Sequence, residues 1–485
     1  MELAGEFYSD EAFATLSRAI TFATEIHAGQ KRASGEAYIS HPLAVAGILI
    51  EWQMDIGSVV AGVLHDTIED GEAHLAQIEA AFGKEIAFLV DGVTKVGHAR
   101  SGMGDIDNYL PRTKANLSKL LIAVSHDLRV LIIKLADRLH NLQTLRYLPR
   151  ERQHKVAAES LQVFAPLADR LGMGKLRVQL EELSFSYLEP AEYARLQKLL
   201  KKKLGRSHKN LMTIRQAVAA ELDRQSIDFE LDGRIKSIYS LHKKLKKVDG
   251  DIDQVHDLMA LRIIVSSKEQ CYVVLGILHN LYQPVLTKIK DYISVPKSNG
   301  YQSLHTTVIT PTEQIVEFQI RSRDMHLHAD RGLAAAFHYN EQKLTKNYLR
   351  GNAASLPRNL EWISRLQAAT EKLTAGERVP EGELGVDLFG DRIFVYSPKG
   401  DIYDLPEGSF PLDFAFAVHS DIASHAHAIR INGKIAPFSR QLQNGDIIQI
   451  ETKRNVQPRS DWLEYVHTAR AKQKLRSYLK TEQQV

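Results

Sequence analysis

Apolar residues recur at three-to-four spacing through the first 190 residues, a pattern that predicts helices. The clearest runs are 12–28, 42–52, 59–68 and 75–81, followed by 117–124 and 130–145. Segment 156–183 continues the pattern, with interruptions at Gly172 and Gly174. Few segments here alternate with period two, so this part reads as an all-helical domain. Segment 190–222 stays helical and turns basic through Lys201, Lys202, Lys203, Arg206 and Lys209.

The pattern then changes. Segments 262–265 and 303–308 are strand-like, and 314–320 alternates. The intervening Pro311-Thr312-Glu313 makes the last two a hairpin. Segments 239–246, 255–259 and 271–281 read as helices, giving a mixed α/β domain. Residues 341–385 are polar, with one amphipathic helix at 360–373, and read as a connector. Short strand-like segments at 392–396, 401–405, 429–431 and 446–451, separated by Gly and Pro turns, predict a β-rich module. The stretch 462–479 reads as a solvated basic helix, and no internal repeat stands out.

Composition narrows the choices. A chain of 485 residues is too long for one hydrophobic core, and 44% hydrophobic with 25% charged residues excludes a fibrous or disordered class. Sixty-two Lys+Arg against 59 Asp+Glu leave +3, too near neutral for a nucleic-acid coat. Cys271 is the only cysteine, which excludes intrachain disulfides and a four-cysteine zinc site. The acidic start lacks the pattern of a signal peptide. The most apolar stretch, 120–136, is broken by His126, Asp127, Arg129 and Lys134, so no membrane span and a cytoplasmic location are expected.

Imidazoles and carboxylates are spaced for a metal site in the helical part: His41, His65-Asp66, Glu69-Asp70 and Asp137. That mixture suits Mn²⁺, Fe²⁺ or Zn²⁺. On a continuous helix His65 and Glu69 share one face, as do Asp66 and Asp70. A chance His-Asp pair beside a solvated helix end fits the local pattern too. Asp137 favours the metal, because a charge among Ile132, Ile133, Leu135, Ala136 and Leu139 is costly to bury unpaired.

In the α/β part, Arg234 and Lys236 stand just before or at a helix start, and Ser240 and Lys244 share a face behind them. Converging cations and helix-start N–H groups suit a polyphosphate, although a solvated basic face has the same pattern. Asp257 precedes one strand and Glu317 lies on another. A carboxylate from each of two strand ends makes a Mg²⁺ site for phosphoryl-type transfer; two ordinary surface acids are the alternative. Tyr301 and His305 could stack on and hydrogen-bond to a base, or be a core tyrosine and a turn histidine. No Walker loop and no Gly-x-Gly-x-x-Gly is present.

Together these segments resemble the long RelA/SpoT-type family of the bacterial stringent response. The likeness spans roughly residues 20–470. Arg32-Ala-Ser-Gly-Glu-Ala-Tyr-Ile-Ser-His-Pro42, Leu64-His-Asp-Thr-Ile-Glu-Asp70, Leu89-Val-Asp-Gly-Val-Thr-Lys95 and Ile133 to Asn141 carry it in the helical part. Gly233 to Lys244, Asp257 to Arg262, Lys290 to Ile293, Pro296-Lys297, Tyr301 to Thr307 and Glu317 to Arg321 carry it in the middle. The resemblance implies an all-α HD-type hydrolase domain over 1–195 and a mixed α/β, nucleotidyltransferase-like synthetase domain over 196–340. A helical connector (341–385), a small β-grasp-like TGS domain (386–452) and a helical tail (453–485) complete the chain.

It also implies two opposed reactions. One removes the 3′-pyrophosphate of (p)ppGpp; the other moves pyrophosphate from ATP to the 3′-OH of GDP or GTP. His41, His65, Asp66 and Asp137 match the Mn²⁺ ligands, Glu69 and Asp70 the pair acting on water, and Arg32 and Asn141 residues around the nucleotide. Asp257 and Glu317 match the Mg²⁺ carboxylates, and Arg234, Lys236, Ser240 and Lys244 the ATP side. Tyr301 matches the guanine-stacking tyrosine, with His305 beside it. A TGS domain implies ribosome or tRNA contact. The intact His65-Asp66 pair argues against a synthetase-only member, which leaves a hydrolase-only enzyme and a ribosome or tRNA adaptor as the rival readings.

Three departures stand out. Family members usually continue into further regulatory domains, whereas this sequence stops at Val485, as a truncated or naturally short member would. The usual Arg-Phe-Lys-Asp segment reads Lys288-Ile-Lys-Asp291, and Asp421-Ile-Ala-Ser424 lacks the Gly that often follows Asp-Ile.

Overall fold

The structure is a computed structural model. It describes residues 8–94, 119–334, 392–398 and 401–482, apart from 121, 122, 125, 247, 256, 257, 298, 312, 314, 333, 444 and 454. The predicted connector and its helix at 360–373, Lys95 and Asp257 lie outside the described residues, as does part of the run 117–124. The chain divides into two compact units, Met1–Leu360 and Glu361–Val485.

The first unit opens with helices α1 (Asp10–Ile26), α2 (Ser40–Glu51), α3 (Ile56–Leu64), α4 (Leu75–Phe82) and α5 (Lys84–Val93). Helices α6 (Arg129–Gln143), α7 (Arg150–Glu159), α8 (Ala165–Arg170) and α9 (Gly174–Leu188) follow. Side-chain caps set two starts: Ser9 accepts the Ala12 N–H and Asp55 the Ser58 N–H. The first half of helix α6 is an apolar run and is buried; Val130 to Ile133, Leu135 and Ala136 are fully enclosed. Arg129 at its start is buried as well. Asp127 grips it through both carboxylate oxygens, and Asp55 and Glu85 complete its pairing.

Two helix expectations in the first unit need correction. The helix predicted over 59–68 stops at Leu64, and residues 65–70 are turns. Side chains capture the carbonyls that would continue it. His65 Nδ1 lies 2.8 Å from the Gly62 oxygen, and Thr67 donates through Oγ1 and N–H to the Leu64 oxygen. The helix predicted over 255–259 is not formed at its described residues, Val255, Leu258 and Met259. A 3₁₀ turn covers Ile252–Gln254, and Met259 already belongs to a strand.

A long helix, α10 (Pro190–Arg224), leads into the sheet domain: β1 (Phe229–Ile235), α11 (Ile238–Leu245), β2 (Met259–Val265), α12 (Lys268–Leu281), β3 (Gln283–Pro284), β4 (Lys290–Asp291), β5 (Leu304–Ile309), β6 (Ile315–Ser322) and α13 (Arg323–Arg331). Strand order is β1-β2-β6-β5-β3, with β4 also on β5. Within this sheet the described β2 and β6 pair in parallel and the other pairs are antiparallel. Period-two alternation gives the sheet two faces. Leu261, Ile263, Phe318, Ile320, Leu304 and Val308 pack on α10 and α12. Register places Gln319 opposite both Arg262 and His305, and Glu317 opposite Ala260, which in turn faces Arg234. The second face is therefore polar.

The second unit holds the hairpin β7 (Arg392–Tyr396) and β8 (Ile402–Pro406), helices α14 (Pro411–Val418) and α15 (Ser420–Ser424), and a sheet of β9 (Ala426–Ile431), β10 (Lys434–Ala436) and β11 (Ile448–Thr452). The predicted helix at 462–479 is two pieces, a 3₁₀ turn Ser460–Tyr465 and α16 (Ala469–Glu482). Buried Asp413 explains the break, accepting the His467 and Thr468 N–H groups between them. No helix among the described residues is long and apolar enough to cross a membrane.

Candidate functional site

Helix α2 brings in His41, the turn after α3 brings His65 and Asp66, and α6 brings Asp137. Ligand atoms of His41, His65 and Asp137 lie within 4.8 Å of one another. His41 Nε2 is 3.2 Å from Asp137 and 3.5 Å from Asp66; His65 Nε2 is 3.2 Å from Asp66 and 3.8 Å from Asp137. All four sequence-predicted ligands thus converge.

The donor set fits a divalent cation. His65 Nδ1 is used on the Gly62 oxygen, while its buried Nε2 has no hydrogen-bond partner among the described residues and faces both carboxylates. Burial opposes charge on His65, but Asp66 and Asp137 outweigh it and hold its pKa up at about 9. The field that holds a proton there is the field a metal ion would use. Asp137 stays well below the usual carboxylate range despite burial, because Lys134 and both histidines favour its charge; Lys134 Nζ is 2.8 Å away.

The Tyr38 hydroxyl donates to Asp66 at 3.0 Å and to Asp70 at 2.6 Å. Burial and the two carboxylates push it up, so it remains a donor. Asp70 is exposed and Glu69 half-buried on the same turn, and Tyr38 ties Asp70 to Asp66, so turn geometry, not a shared helix face, brings Asp70 beside the predicted ligands. Asn141 Nδ2 donates to Asp137, and Arg32 reaches both Asn141 at 3.3 Å and His140 at 3.2 Å. A cleft of about 680 Å³ opens here, lined by Asp137 and Asn141 and by Lys31, Arg32, Lys134, Arg138, Arg152 and Lys155. Six cations around one mouth suit a polyanion.

The second cluster sits on the polar sheet face. The Tyr301 hydroxyl meets His305 Nε2 at 2.9 Å, and His305 Nδ1 meets Glu317 at 3.1 Å. Gln319 donates to Glu317 at 3.0 Å and accepts from Arg234 at 3.0 Å. Burial lowers the His305 pKa although Glu317 favours its charge. Glu317 lies within β6, not at its end, and Asp257, its predicted partner, is outside the described residues.

Lys236 precedes α11, and Ser240 and Lys244 lie on it one turn apart. The free helix start expected for a polyphosphate is already in use. Ser237 Oγ accepts the Ser240 N–H, and Glu182, from α9, accepts the Tyr239 N–H.

Sequence reasoning passed over Tyr38, Lys134, His140, Gln319 and Arg321. All five sit inside the segments that carry the family resemblance, which is their only signal in the sequence. Arg321 is 2% exposed, and burial beside Arg262 and Arg234 pulls it down to about 10. Alternation along β6 puts it on the Glu317 face.

Comparison with known proteins finds an HD domain at residues 19–174, the region found in RelA / SpoT proteins at 233–344, and a TGS domain at 393–452. The chain is 40% identical over 478 residues to a GTP pyrophosphokinase of Myxococcus xanthus, covering 99% of this chain and 62% of that one. It is 39% identical over 473 residues to a guanosine-3′,5′-bis(diphosphate) 3′-pyrophosphohydrolase of Aquifex aeolicus, covering 96% and 65%. It is 39% identical over 480 residues to a bifunctional (p)ppGpp synthase/hydrolase of Mycobacterium tuberculosis, covering 98% and 64%. The chain spans less than two thirds of the length of each.

Proposed function

This chain belongs to the long RelA/SpoT family, and from that premise we propose that it is a cytoplasmic, bifunctional alarmone enzyme. One activity hydrolyses (p)ppGpp to GDP or GTP plus pyrophosphate. The other transfers pyrophosphate from ATP to GDP or GTP, giving AMP and (p)ppGpp. We assign hydrolysis to residues 1–195, transfer to 196–340, the connector to 341–385, and any ribosome or tRNA contact to the TGS domain, 386–452, ahead of a helical tail, 453–485.

The convergence of His41, His65, Asp66 and Asp137 at a basic cleft carries the hydrolytic half. These four would hold Mn²⁺, which when bound acidifies a water and polarises a phosphoryl oxygen. Asp70, held by Tyr38, and Glu69 beside it are placed to orient an attacking water and take its proton. The water oxygen attacks the phosphorus on O3′, the P–O3′ bond breaks, and the ribose oxygen is reprotonated. Arg32, Asn141 and the cations of the cleft bind the phosphates.

In the transfer half, Asp257 and Glu317 would hold Mg²⁺, which offsets triphosphate charge. Arg234, Lys236, Ser240 and Lys244 bind ATP, and Tyr301 stacks on guanine with His305 beside it. The 3′ oxygen attacks the β-phosphorus, the bond to the α–β bridging oxygen breaks, and the hydroxyl proton passes to the Glu317–His305 pair.

The test is a two-way assay of the purified chain: labelled ATP with GDP or GTP and Mg²⁺, and ppGpp with Mn²⁺. Both products are expected. Pyrophosphate release alone would leave a hydrolase-only enzyme, and neither product would overturn the reading.

A further inference from the structure

Gly172 and Gly332 meet where the helical bundle touches the sheet domain, and both are buried. Gly332 follows α13 at φ +57°, and Gly172 follows α8 at φ +72°. A Cβ on Gly332 would stand 2.2 Å from the Leu171 carbonyl oxygen; one on Gly172 would stand 2.9 Å from the Asn299 carbonyl oxygen. The two domains thus touch backbone to backbone, with no room for a methyl group.

Asn299 extends this contact toward the transfer site. Its Oδ1 accepts the Tyr301 N–H at 3.2 Å, and its Nδ2 donates to Asp169 Oδ1 at 3.3 Å. A backbone N–H can only donate, so the Asn299 oxygen must face Tyr301 and its NH₂ must face Asp169. Gly300, at φ +77°, turns the chain between them. Two backbone bonds close the turn: Gly300 N–H to the Lys297 oxygen and Lys297 N–H to the Tyr301 oxygen. The Tyr301 ring then stands edge-on to His305, with centroids 5.8 Å apart.

We infer that Asp169, on the last turn of α8 in the hydrolase domain, is a positioning residue for the guanine nucleotide of the transfer reaction. It acts through Asn299, which fixes the backbone from which Tyr301 presents its ring. The inference rests on reading Tyr301 as the guanine-stacking residue. Stacking needs one ring plane, and without the brace the bound nucleotide must order the turn itself, which costs affinity. ATP should be spared, because the Asp169–Asn299–Tyr301 hydrogen bonds include no residue of β1 or α11.

The experiment measures GDP affinity by calorimetry, and KM for GDP and for ATP, on the full chain as wild type, Asp169→Ala, Asp169→Asn and Gly172→Ala. Asp169→Ala should raise the GDP Kd and KM about fivefold, the size of one hydrogen bond, with the ATP KM unchanged. Asp169→Asn keeps an acceptor oxygen and should restore the wild-type values. Gly172→Ala pushes on the Asn299 carbonyl and should also weaken GDP. An unchanged GDP Kd in a folded Asp169→Ala protein, an equal rise in the ATP KM, or failed rescue by Asp169→Asn would each overturn the brace. Absence of GDP binding in wild type would overturn the Tyr301 reading and the brace with it.

Discussion

His140 Nδ1 lies 2.7 Å from His41 Nδ1, and Arg32 Nη1 approaches the same His140 nitrogen at 3.2 Å. A guanidinium only donates, so His140 Nδ1 is the acceptor in both contacts. The shared proton therefore belongs to His41 Nδ1, which leaves His41 Nε2 as a lone pair directed at Asp137 and Asp66. Burial, helped by the Arg32 guanidinium, pushes His140 down to about 4, so it stays an acceptor at neutral pH. His140 thus sets the tautomer of His41 without reaching the carboxylates itself.

His140→Ala should weaken Mn²⁺ binding by roughly 10- to 100-fold, the usual cost of losing such an outer partner. A Mn²⁺ titration of ppGpp hydrolysis, paired with calorimetry of Mn²⁺ alone, reads it. Overlapping titrations for mutant and wild type would show that the His41 tautomer does not depend on His140.

Asp66→Ala should abolish ppGpp hydrolysis and leave pyrophosphate transfer measurable, because the two clusters share no side chain. Glu317→Gln should do the reverse, since Glu317 contacts His305 and Gln319 on the sheet face. Running both assays on both proteins checks this. Joint loss of the two activities in either well-folded variant would argue for a shared centre.

The legible parts of the chain are those fixed by local periodicity. The bundle, the β5–β6 hairpin and the gap near Gly172 follow from spacing alone. The end of α3 does not, because helical periodicity continues past Leu64 while His65 and Thr67 take over its carbonyls. Helix α14 is missed because Pro411 to Phe416 is buried all round and shows no polar face. Of the site, the ligand residues stand out by chemistry. The Glu182 cap on Tyr239 spans 57 positions, and such a long-range contact leaves no local pattern to read.

Cys271 offers a check on the sheet domain. It is fully buried between α12 and the apolar face of the sheet, and burial pushes its thiol up to about 12. At pH 8 its thiolate fraction should be about a thousandfold below that of a free cysteine. Ellman's reagent should therefore react within seconds in denaturant and very slowly in the native protein. Rapid native labelling would mean that the α12 face opens.

The segment Lys288-Ile-Lys-Asp291 separates two lysines that the sequence treats alike. Lys288 closes an exposed 3₁₀ turn, Leu286–Lys288. Lys290 pairs in register with His305 across β4 and β5, so its side chain shares the polar face with Glu317. Its charge opposes protonation of His305. A cation at 290 supplies part of the positive field that a bound polyphosphate would otherwise draw from Mg²⁺. Lys288→Glu with Lys290→Asp should therefore shift the Mg²⁺ dependence of transfer far more than the Mn²⁺ dependence of hydrolysis. Register makes the split sharper: Lys290→Asp alone should give most of the shift, and Lys288→Glu alone little. Initial transfer rates over a Mg²⁺ series on wild type, both single variants and the double variant decide it. Four superimposable curves would remove this segment from metal use, and the bifunctional reading would then rest on the intact His65-Asp66 cluster and the Glu317 face.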